Sequence, residues 1–164
     1  MALSFSIAGP EDAPELLALE NAAAANLASL HGRPASATSE RAFLFQMSYA
    51  RVIAARADGR IVGKLFLQTR KPWAIDITYF TPVKKAIYLT GMAVIPFAQR
   101  QGVGRAMLEE AERQVREWPA EAIRLDAFDA PHGAGGFYAK CGFRECGRRV
   151  YRDSPLTYFE RILV

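Results

Sequence analysis

The sequence predicts a single mixed α/β domain over residues 1–164, and three observations support this prediction. The length suits one domain, since domains usually hold about 100–200 residues. Hydrophobic residues make up 51% of the chain and charged residues 23%, which is typical of a globular protein. Helical and strand periodicities follow one another in the order β, α, α, β, β, β, α, β, α, β, β. This order indicates a sheet with both parallel and antiparallel neighbours.

Two helices follow a short first strand at residues 3–8. Asp12 is expected to cap the first helix, which ends before Pro34. The predicted apolar face of this helix contains Leu16, Leu17, Ala24, Leu27 and Leu30. Ser39 is expected to cap the second helix, because a serine hydroxyl accepts hydrogen bonds from the first N–H groups of a helix. That helix continues through Phe43, Met47 and Tyr49.

The period then changes to that of β-strands. Residues 51–55 and 61–67 predict a hairpin, because Asp58-Gly59 between them supplies the positive φ angles of a tight turn. An irregular aromatic segment follows at residues 69–85, and a loop this long in a compact domain is more often functional than idle. Residues 86–95 predict a buried strand in which Gly91 marks a bulge or the close approach of a ligand.

The last third of the chain contains two helices and three strands. Residues 103–118 form the clearest amphipathic helix, with Met107, Ala111, Val115 and Trp118 on its apolar face. A strand at 123–128, a short helix at 136–141 and a hairpin of 143–152 with 155–163 complete the prediction.

Composition excludes several classes of function. The longest stretch without a charged residue, 86–99, is shorter than the roughly 20 apolar residues of a membrane span. No basic signal region opens the chain, so a cytoplasmic protein is expected. Cys141 and Cys146 are expected to be reduced, packed thiols, and no metal site is predicted. The net charge of +4 favours anionic partners but is too small and scattered for nucleic acid.

The strongest functional signal is the turn between a predicted strand and helix at residues 95–108. The first N–H groups of a helix attract anions. Gly102 and Gly104 remove the Cβ atoms that would keep a pyrophosphate away, while Arg100 and Arg105 add charged donors. A nucleotide P-loop is excluded because no Lys-Ser or Lys-Thr follows these glycines. A dinucleotide-binding Rossmann turn ranks second, because Met107 replaces its third glycine.

A resemblance to a known family supplies the third interpretation of this turn. Gln99-x-x-Gly102-x-Gly104 resembles the Gln/Arg-x-x-Gly-x-Gly/Ala signature of the GCN5-related N-acetyltransferase (GNAT) family. Residues 7–16 resemble the family's first strand and helix, 90–96 its fourth strand, and 137–143 its Phe-Tyr-x-Lys-x-Gly-Phe block. The resemblance implies a mostly antiparallel sheet of about seven strands, splayed at strands 4 and 5 and flanked by about four helices.

The resemblance also implies the chemistry. The expected enzyme transfers the acetyl group of acetyl-CoA directly to a primary amine, without a metal, in a cleft between the strands that contain Val94 and Asp126. Backbone groups of the fourth strand are expected to bind the pantetheine arm, and the turn the pyrophosphate. The cofactor-binding residues so implied are Met92, Ala93, Val94, Gln99, Arg100, Gln101, Gly102, Val103, Gly104, Arg105 and Ala106.

Two residues are expected to be catalytic. The resemblance gives Tyr138 the role of general acid toward the departing thiolate, and a tyrosine holds its proton at neutral pH as an acid must. The acceptor amine is protonated at pH 7 and needs a base, for which Asp126 is the candidate. A structural salt bridge of Asp126 with Arg124 or another surface arginine is an equal alternative. Other candidates for the base are Asp129, His132, Asp76 and a water relay.

The acceptor is unidentified at this stage. Trp73, Tyr79 and Phe80 are expected either to pack into the domain or to form the wall of a small-molecule acceptor pocket. Pro131 stands where the family often has asparagine, so the contact of that asparagine with CoA is not expected. A homodimer is one option that the family allows. The rival functions are an acyl-CoA sensor without turnover, an acetyltransferase for protein or peptide N-termini, and a basic nucleic-acid-binding module.

Overall fold

A computed structural model describes residues 1–32, 37–131 and 133–164, and within them it contains seven strands and four helices. The strands are β1 (Ser4–Ile7), β2 (Arg51–Ala57), β3 (Arg60–Gln68), β4 (Ala86–Val94), β5 (Ala122–Phe128), β6 (Arg144–Tyr151) and β7 (Ser154–Ile162). The helices are α1 (Ala13–His31), α2 (Glu40–Met47), α3 (Val103–Glu117) and α4 (Gly135–Lys140). The predicted order of elements is confirmed.

The strands form one sheet in the order β1-β2-β3-β4-β5-β7-β6. Antiparallel pairing joins β1 to β2, β2 to β3, β5 to β7 and β6 to β7. β4 and β5 are parallel, and their register runs from Ala86↔Ala122 to Tyr88↔Arg124, although β4 continues to Val94. The predicted fold class, a mixed and mostly antiparallel sheet with a splay at strands 4 and 5, is therefore confirmed.

Contacts divide the chain into two compact units, and the first contains residues 1–67 and 91–110. Its core joins α1 and α2 to strands β2 and β3 through Ala13, Leu16, Leu19, Phe43, Val52, Ala54, Ile61 and Phe66. Asp58 and Gly59 have φ angles of 50° and 77°, so the predicted hairpin turn is confirmed. The Ser39 cap is confirmed, because its hydroxyl accepts a hydrogen bond from Ala42 N–H at 3.2 Å. Asp12 stands at the cap position of α1 but makes no capping bond there, and its carboxylate accepts instead from Gly9 N–H at 3.1 Å and Arg56 Nη2 at 2.8 Å.

The apolar face predicted for α1 is wrong in its C-terminal half. Leu27 and Leu30 are 52% and 69% exposed. The residues of α1 that are buried are Ala13, Leu16, Leu19 and Ala23. Residues 22–25 are all alanine, so this helix carries apolar side chains on every side and hydrophobicity alone does not select the buried face.

The second unit contains residues 68–90 and 111–164. Residues 69–85 are irregular, as predicted, apart from one 3₁₀ turn at Ile77–Tyr79. Two buried side chains of the sheet hold this segment. The Tyr158 hydroxyl donates to Ala74 O and accepts from Asp76 N–H, and Glu160 accepts from the N–H and hydroxyl of Thr81. Hydrogen bonds from the sheet therefore hold both halves of segment 69–85 in place within this unit.

Candidate active site

The turn that the sequence singles out lies in the first unit, between the end of β4 and the start of α3. A 3₁₀ turn at Pro96–Ala98 leads into it, and Arg100 and Gly102 have φ angles of 61° and 83°. The first hydrogen bond of α3 runs from Ala106 N–H to Gly102 O at 3.1 Å. The N–H groups of residues 103–105 therefore precede the internal ladder of the helix, where its partial positive charge is concentrated.

Two glutamine side chains brace this turn from within. Gln99 Nε2 donates to Val94 O at 3.0 Å, and Gln101 Nε2 donates to Phe97 O at 2.8 Å. The resemblance places Gln99 among the cofactor-binding residues, and its side chain contacts the carbonyl of Val94. This contact fixes the turn relative to β4, the strand whose backbone is expected to bind the pantetheine arm.

The turn has the features that a pyrophosphate requires. A Cβ atom built on Gly102 would meet nothing within 4 Å, so the space over this backbone is open. Arg100 and Arg105 are both exposed, and a guanidinium offers donors suited to a phosphate. An anionic ligand can therefore approach backbone N–H groups and charged side chains together.

Tyr138 lies on α4 in the second unit and is 7% exposed. Its ring centroid is 5.3 Å from that of Phe137, 5.8 Å from Phe143 and 5.9 Å from Phe159. Burial raises the pKa of the Tyr138 phenol above its ordinary value, and the nearby charges of Asp126 and Cys141 raise it further. The phenol is therefore protonated at neutral pH.

Asp126 lies on β5 in the same unit, opposite Tyr158 of β7. Burial raises the pKa of its carboxyl above the ordinary value, which brings the group closer to the range of a useful base. The structure does not show the alternative salt bridge between Asp126 and Arg124. Arg124 donates instead to Thr81 O at 2.9 Å and to the Tyr88 hydroxyl at 3.2 Å.

The other candidates for the base have different surroundings. Asp76 accepts hydrogen bonds from the N–H and hydroxyl of Thr78, which lower the pKa of its carboxyl, and it faces Arg149 at 3.8 Å. Asp129 lies 3.6 Å from Arg148 and lines a cavity of about 320 Å³ in the second unit. His132 lies outside the described residues. Between Asp126 and Asp76, the raised pKa of Asp126 is the one that suits a base.

The three aromatic residues expected near the acceptor have very different exposures. Trp73 is 87% exposed and Tyr79 is 38% exposed, whereas Phe80 is only 5% exposed. Phe80 packs with Tyr88 and Tyr158 in the core cluster of the second unit. Phe80 therefore takes the packed alternative of the sequence analysis, and the surface available to an acceptor is that of Trp73 and Tyr79.

The two cysteines are thiols and do not form a disulfide. Cys146 packs against the cluster that contains Ile75 and Phe80, and burial raises its pKa to about 11. A thiol with such a pKa is a poor nucleophile at neutral pH. In the described part of the chain, no group of three or more His, Cys, Asp or Glu residues could hold a metal ion.

Sequence reasoning missed three buried charged residues. Lys64 of β3, Arg124 of β5 and Glu160 of β7 are 0%, 6% and 1% exposed. Lys64 lies inside the otherwise apolar run of residues 61–67, where an exposed lysine is not expected, and this position could have indicated its burial. Arg124 and Glu160 face each other in the register of β5 and β7, a pairing that sequence alone does not reveal.

The strand, the braced turn and the helix, in a mixed sheet with parallel β4 and β5, agree with the fold that the resemblance implies. Comparison with protein families identifies the class. The model of the acetyltransferase (GNAT) family matches residues 16–143, so this chain belongs to that family. Family membership confirms the resemblance and removes the Rossmann alternative. An acetyl-CoA-dependent N-acetyltransferase is the class of enzyme to which the family points.

A curated relative has a more specific name. The chain is 32% identical over 104 residues to an aminoglycoside N(6')-acetyltransferase type 1 from Stenotrophomonas maltophilia. The match covers 63% of this chain and 65% of that relative, so it spans slightly less than two thirds of the relative's length.

Solved structures share the fold over nearly the whole chain. The ribosomal-protein-S18-alanine N-acetyltransferase from Escherichia coli has a TM-score of 0.74 at 20% identity, with 99% of this chain and 94% of that chain covered. A structure from Salmonella typhimurium, yncA, assigned as an acetyltransferase and containing its cofactor acetyl-CoA, has a TM-score of 0.71 at 14% identity. That match covers 100% of this chain and 95% of the other. No described helix has the length and apolar character needed to cross a membrane.

Proposed function

We propose that this protein transfers the acetyl group of acetyl-CoA to a primary amine of a small molecule by direct attack of the amine on the thioester. The observation that carries the proposal is the turn at residues 99–102, in which positive φ angles at Arg100 and Gly102 open the start of α3 to an anion. This turn lies inside the segment that matches the acetyltransferase family.

In this proposal each part of the cofactor has its own binding groups. The backbone N–H groups at the start of α3 bind the pyrophosphate, together with Arg100 and Arg105. Backbone groups of Met92 and Val94 bind the pantetheine arm as an added strand would. Val94 O already accepts from Gln99 Nε2, and a carbonyl oxygen has a second lone pair for a ligand. A backbone N–H near Ala93 or Val94 stabilises the negative charge that develops on the thioester oxygen.

Proton transfers are assigned to residues of the second unit. Acetyl-CoA supplies the activated acetyl group as a thioester. Tyr138 gives its proton to the departing thiolate, and its raised pKa keeps that proton in place until it is needed. Asp126, directly or through water, takes the proton of the attacking amine, and its raised pKa makes it a stronger base than an exposed aspartate.

A small-molecule acceptor is favoured by the name of the curated relative, an aminoglycoside acetyltransferase. Trp73 and Tyr79 expose aromatic surface that fits the apolar part of such an acceptor. Aminoglycosides, with several primary amines on a polar ring system, are the first class of acceptor to test. An acetyltransferase for peptide N-termini is the second candidate for the acceptor.

A turnover assay tests the proposal. The purified protein is incubated with acetyl-CoA and separate panels of aminoglycosides, polyamines, amino acids and peptides with free N-termini, and released CoA thiol is measured. The proposal expects release above the hydrolysis rate with at least one small-molecule amine. Turnover with peptides alone would replace the acceptor class. Binding of acetyl-CoA without turnover would favour the sensor, and absence of binding would contradict the proposal as a whole.

A further inference from the structure

A completely buried lysine contacts the backbone of β4 where that strand bends. Lys64 lies on β3, and its side chain is 0% exposed. Its Nζ donates to Gly91 O at 2.5 Å and to Glu20 Oε1 at 2.8 Å. The same ammonium lies 4.8 Å from the ring centroid of Phe66 and 5.8 Å from that of Phe43. Lys64 therefore joins α1 to the carbonyl of Gly91 within the first unit.

Packing alone does not explain a lysine at this position. Removal of an ammonium from water is unfavourable even beside a half-buried carboxylate such as Glu20, and an apolar side chain of similar volume is often as stable or more so. Burial lowers the pKa of Lys64, an effect that the charge and hydrogen bond of Glu20 oppose. Glu20 Oε2 is also buried without a hydrogen-bond partner in the described part of the chain. A methionine or leucine at position 64 would avoid these costs.

The contact falls at a point where the backbone geometry is unusual. Gly91 has a φ of 57°, which an L side chain rarely adopts. A Cβ at Gly91 would lie 2.8 Å from Phe66 Cδ2 and 3.2 Å from Lys64 Nζ. The direction of the Gly91 carbonyl therefore depends on the absence of a side chain and on the ammonium that it meets.

The residues that follow the bend are those assigned to the cofactor. Met92, Ala93 and Val94 continue β4, which pairs with its neighbours in the sheet, and two further hydrogen bonds hold the end of this segment. Ile95 N–H donates to Val62 O at 2.8 Å, and Gln99 Nε2 donates to Val94 O at 3.0 Å. Without the bond from Lys64, the N-terminal end of this segment would lose its own side-chain anchor.

We propose that Lys64 is a positioning residue for acetyl-CoA. Its ammonium fixes the Gly91 carbonyl and thereby the direction in which the backbone groups of Met92 and Val94 meet the pantetheine arm. Glu20 is the counter-charge that makes the buried ammonium tolerable. This inference rests on the proposed function, since it requires that acetyl-CoA bind along β4.

The test separates the two parts of the cofactor. Calorimetry measures the dissociation constants of acetyl-CoA and of the 3′-phosphorylated ADP fragment of CoA, which keeps the pyrophosphate but lacks the pantetheine arm. The main variant is Lys64→Met with Glu20→Gln, which removes both charges together. Arg56→Met with Asp12→Asn is the matched control, because it removes another ion pair of the same unit, between Arg56 Nη2 and Asp12 Oδ1 at 2.8 Å.

We expect the double variant to bind acetyl-CoA about 10-fold more weakly, the loss of about one hydrogen bond to a charged group. Its affinity for the ADP fragment should stay within about twofold of wild type, and the Arg56→Met with Asp12→Asn control should keep both affinities. A purely structural role would lower the melting temperature and leave the affinities of the folded protein unchanged. That result, or an equal loss for both ligands, would overturn the inference.

Gly91→Ala provides a second test in case the double variant does not fold. It displaces the same carbonyl through its unfavourable φ and the approach to Phe66, while both charges remain. The inference expects the same selective loss of acetyl-CoA affinity, and unchanged acetyl-CoA affinity in this variant would contradict it. If the wild-type protein binds the ADP fragment but not acetyl-CoA, the inference fails together with the pantetheine site on β4. If it binds neither, the proposed function itself has failed.

Discussion

Removal of one hydroxyl group, by Tyr138→Phe, separates a catalytic role of this residue from a packing role. The ring is in contact distance of Phe137, Phe143 and Phe159, and phenylalanine preserves all of these contacts. The expected loss of unfolding free energy is therefore limited to about 1 kcal/mol, the net value of one hydrogen bond. Loss of a general acid costs about 100-fold in kcat or more, which is about 2.7 kcal/mol in the activation barrier.

Steady-state kinetics and urea unfolding of the same protein measure the two effects. We expect kcat to fall by about two orders of magnitude while the KM for acetyl-CoA changes little. Phe137→Leu is the matched control on the same helix: it should lower stability and leave kcat within about twofold. Equal kcat values for wild type and Tyr138→Phe would refute the assignment and leave Tyr138 as a packing residue.

Three further predictions follow from the geometry and burial of other residues. Gly104→Val at the start of α3 should weaken acetyl-CoA binding at least 10-fold in calorimetry. Gly136→Ala is the control and should leave this affinity unchanged, because a Cβ at Gly136 meets nothing within 4 Å. The fold raises the pKa of Asp126, so it favours the protonated carboxyl. The resulting loss of stability grows as the pH rises from the ordinary pKa of an aspartate to the raised pKa and is complete above it. Asp126→Asn should therefore raise the free energy of unfolding at neutral pH. The same variant should lower kcat about 10-fold or more and remove the acidic limb of the pH–rate profile, and an unchanged profile would reassign the base. Phe80→Ala should lower the free energy of unfolding by about 3–5 kcal/mol. Trp73→Ala should lower it by less than about 0.5 kcal/mol and change the acceptor KM. Equal losses of stability in the two variants would contradict the burial of Phe80 and the exposure of Trp73.

Local signals predicted most of the fold. Asp58-Gly59 specifies its turn through backbone conformation alone, and Ser39 specifies a helix start through one hydrogen bond to its own neighbour. Gly91 in the middle of an apolar strand indicated a bulge or the close approach of a ligand, and its φ of 57° is a backbone conformation that favours glycine. Each of these features depends on residues a few positions apart, so no knowledge of distant contacts was needed.

Features that depend on distant contacts were not predictable. Lys64 meets Glu20 and Gly91, which lie 44 and 27 positions away in sequence. The packing of Phe80 depends on Tyr158, and its aromatic character alone fits an acceptor pocket as well as a core. The family signature predicted the turn at residues 99–104. That Gln99 contacts β4, whereas Gln101 contacts Phe97, was visible only in the three-dimensional structure.

The proposed reaction of this protein is transfer of an acetyl group from acetyl-CoA to a small-molecule amine. The most direct measurement is mass spectrometry of an aminoglycoside panel after incubation with acetyl-CoA and wild-type protein, with the Tyr138→Phe protein as the comparison. The account predicts that at least one panel member gains a single acetyl group, with CoA thiol released in equal amount and about 100-fold more slowly by the variant. Acetyl-CoA that binds but leaves every small-molecule amine unmodified would contradict it.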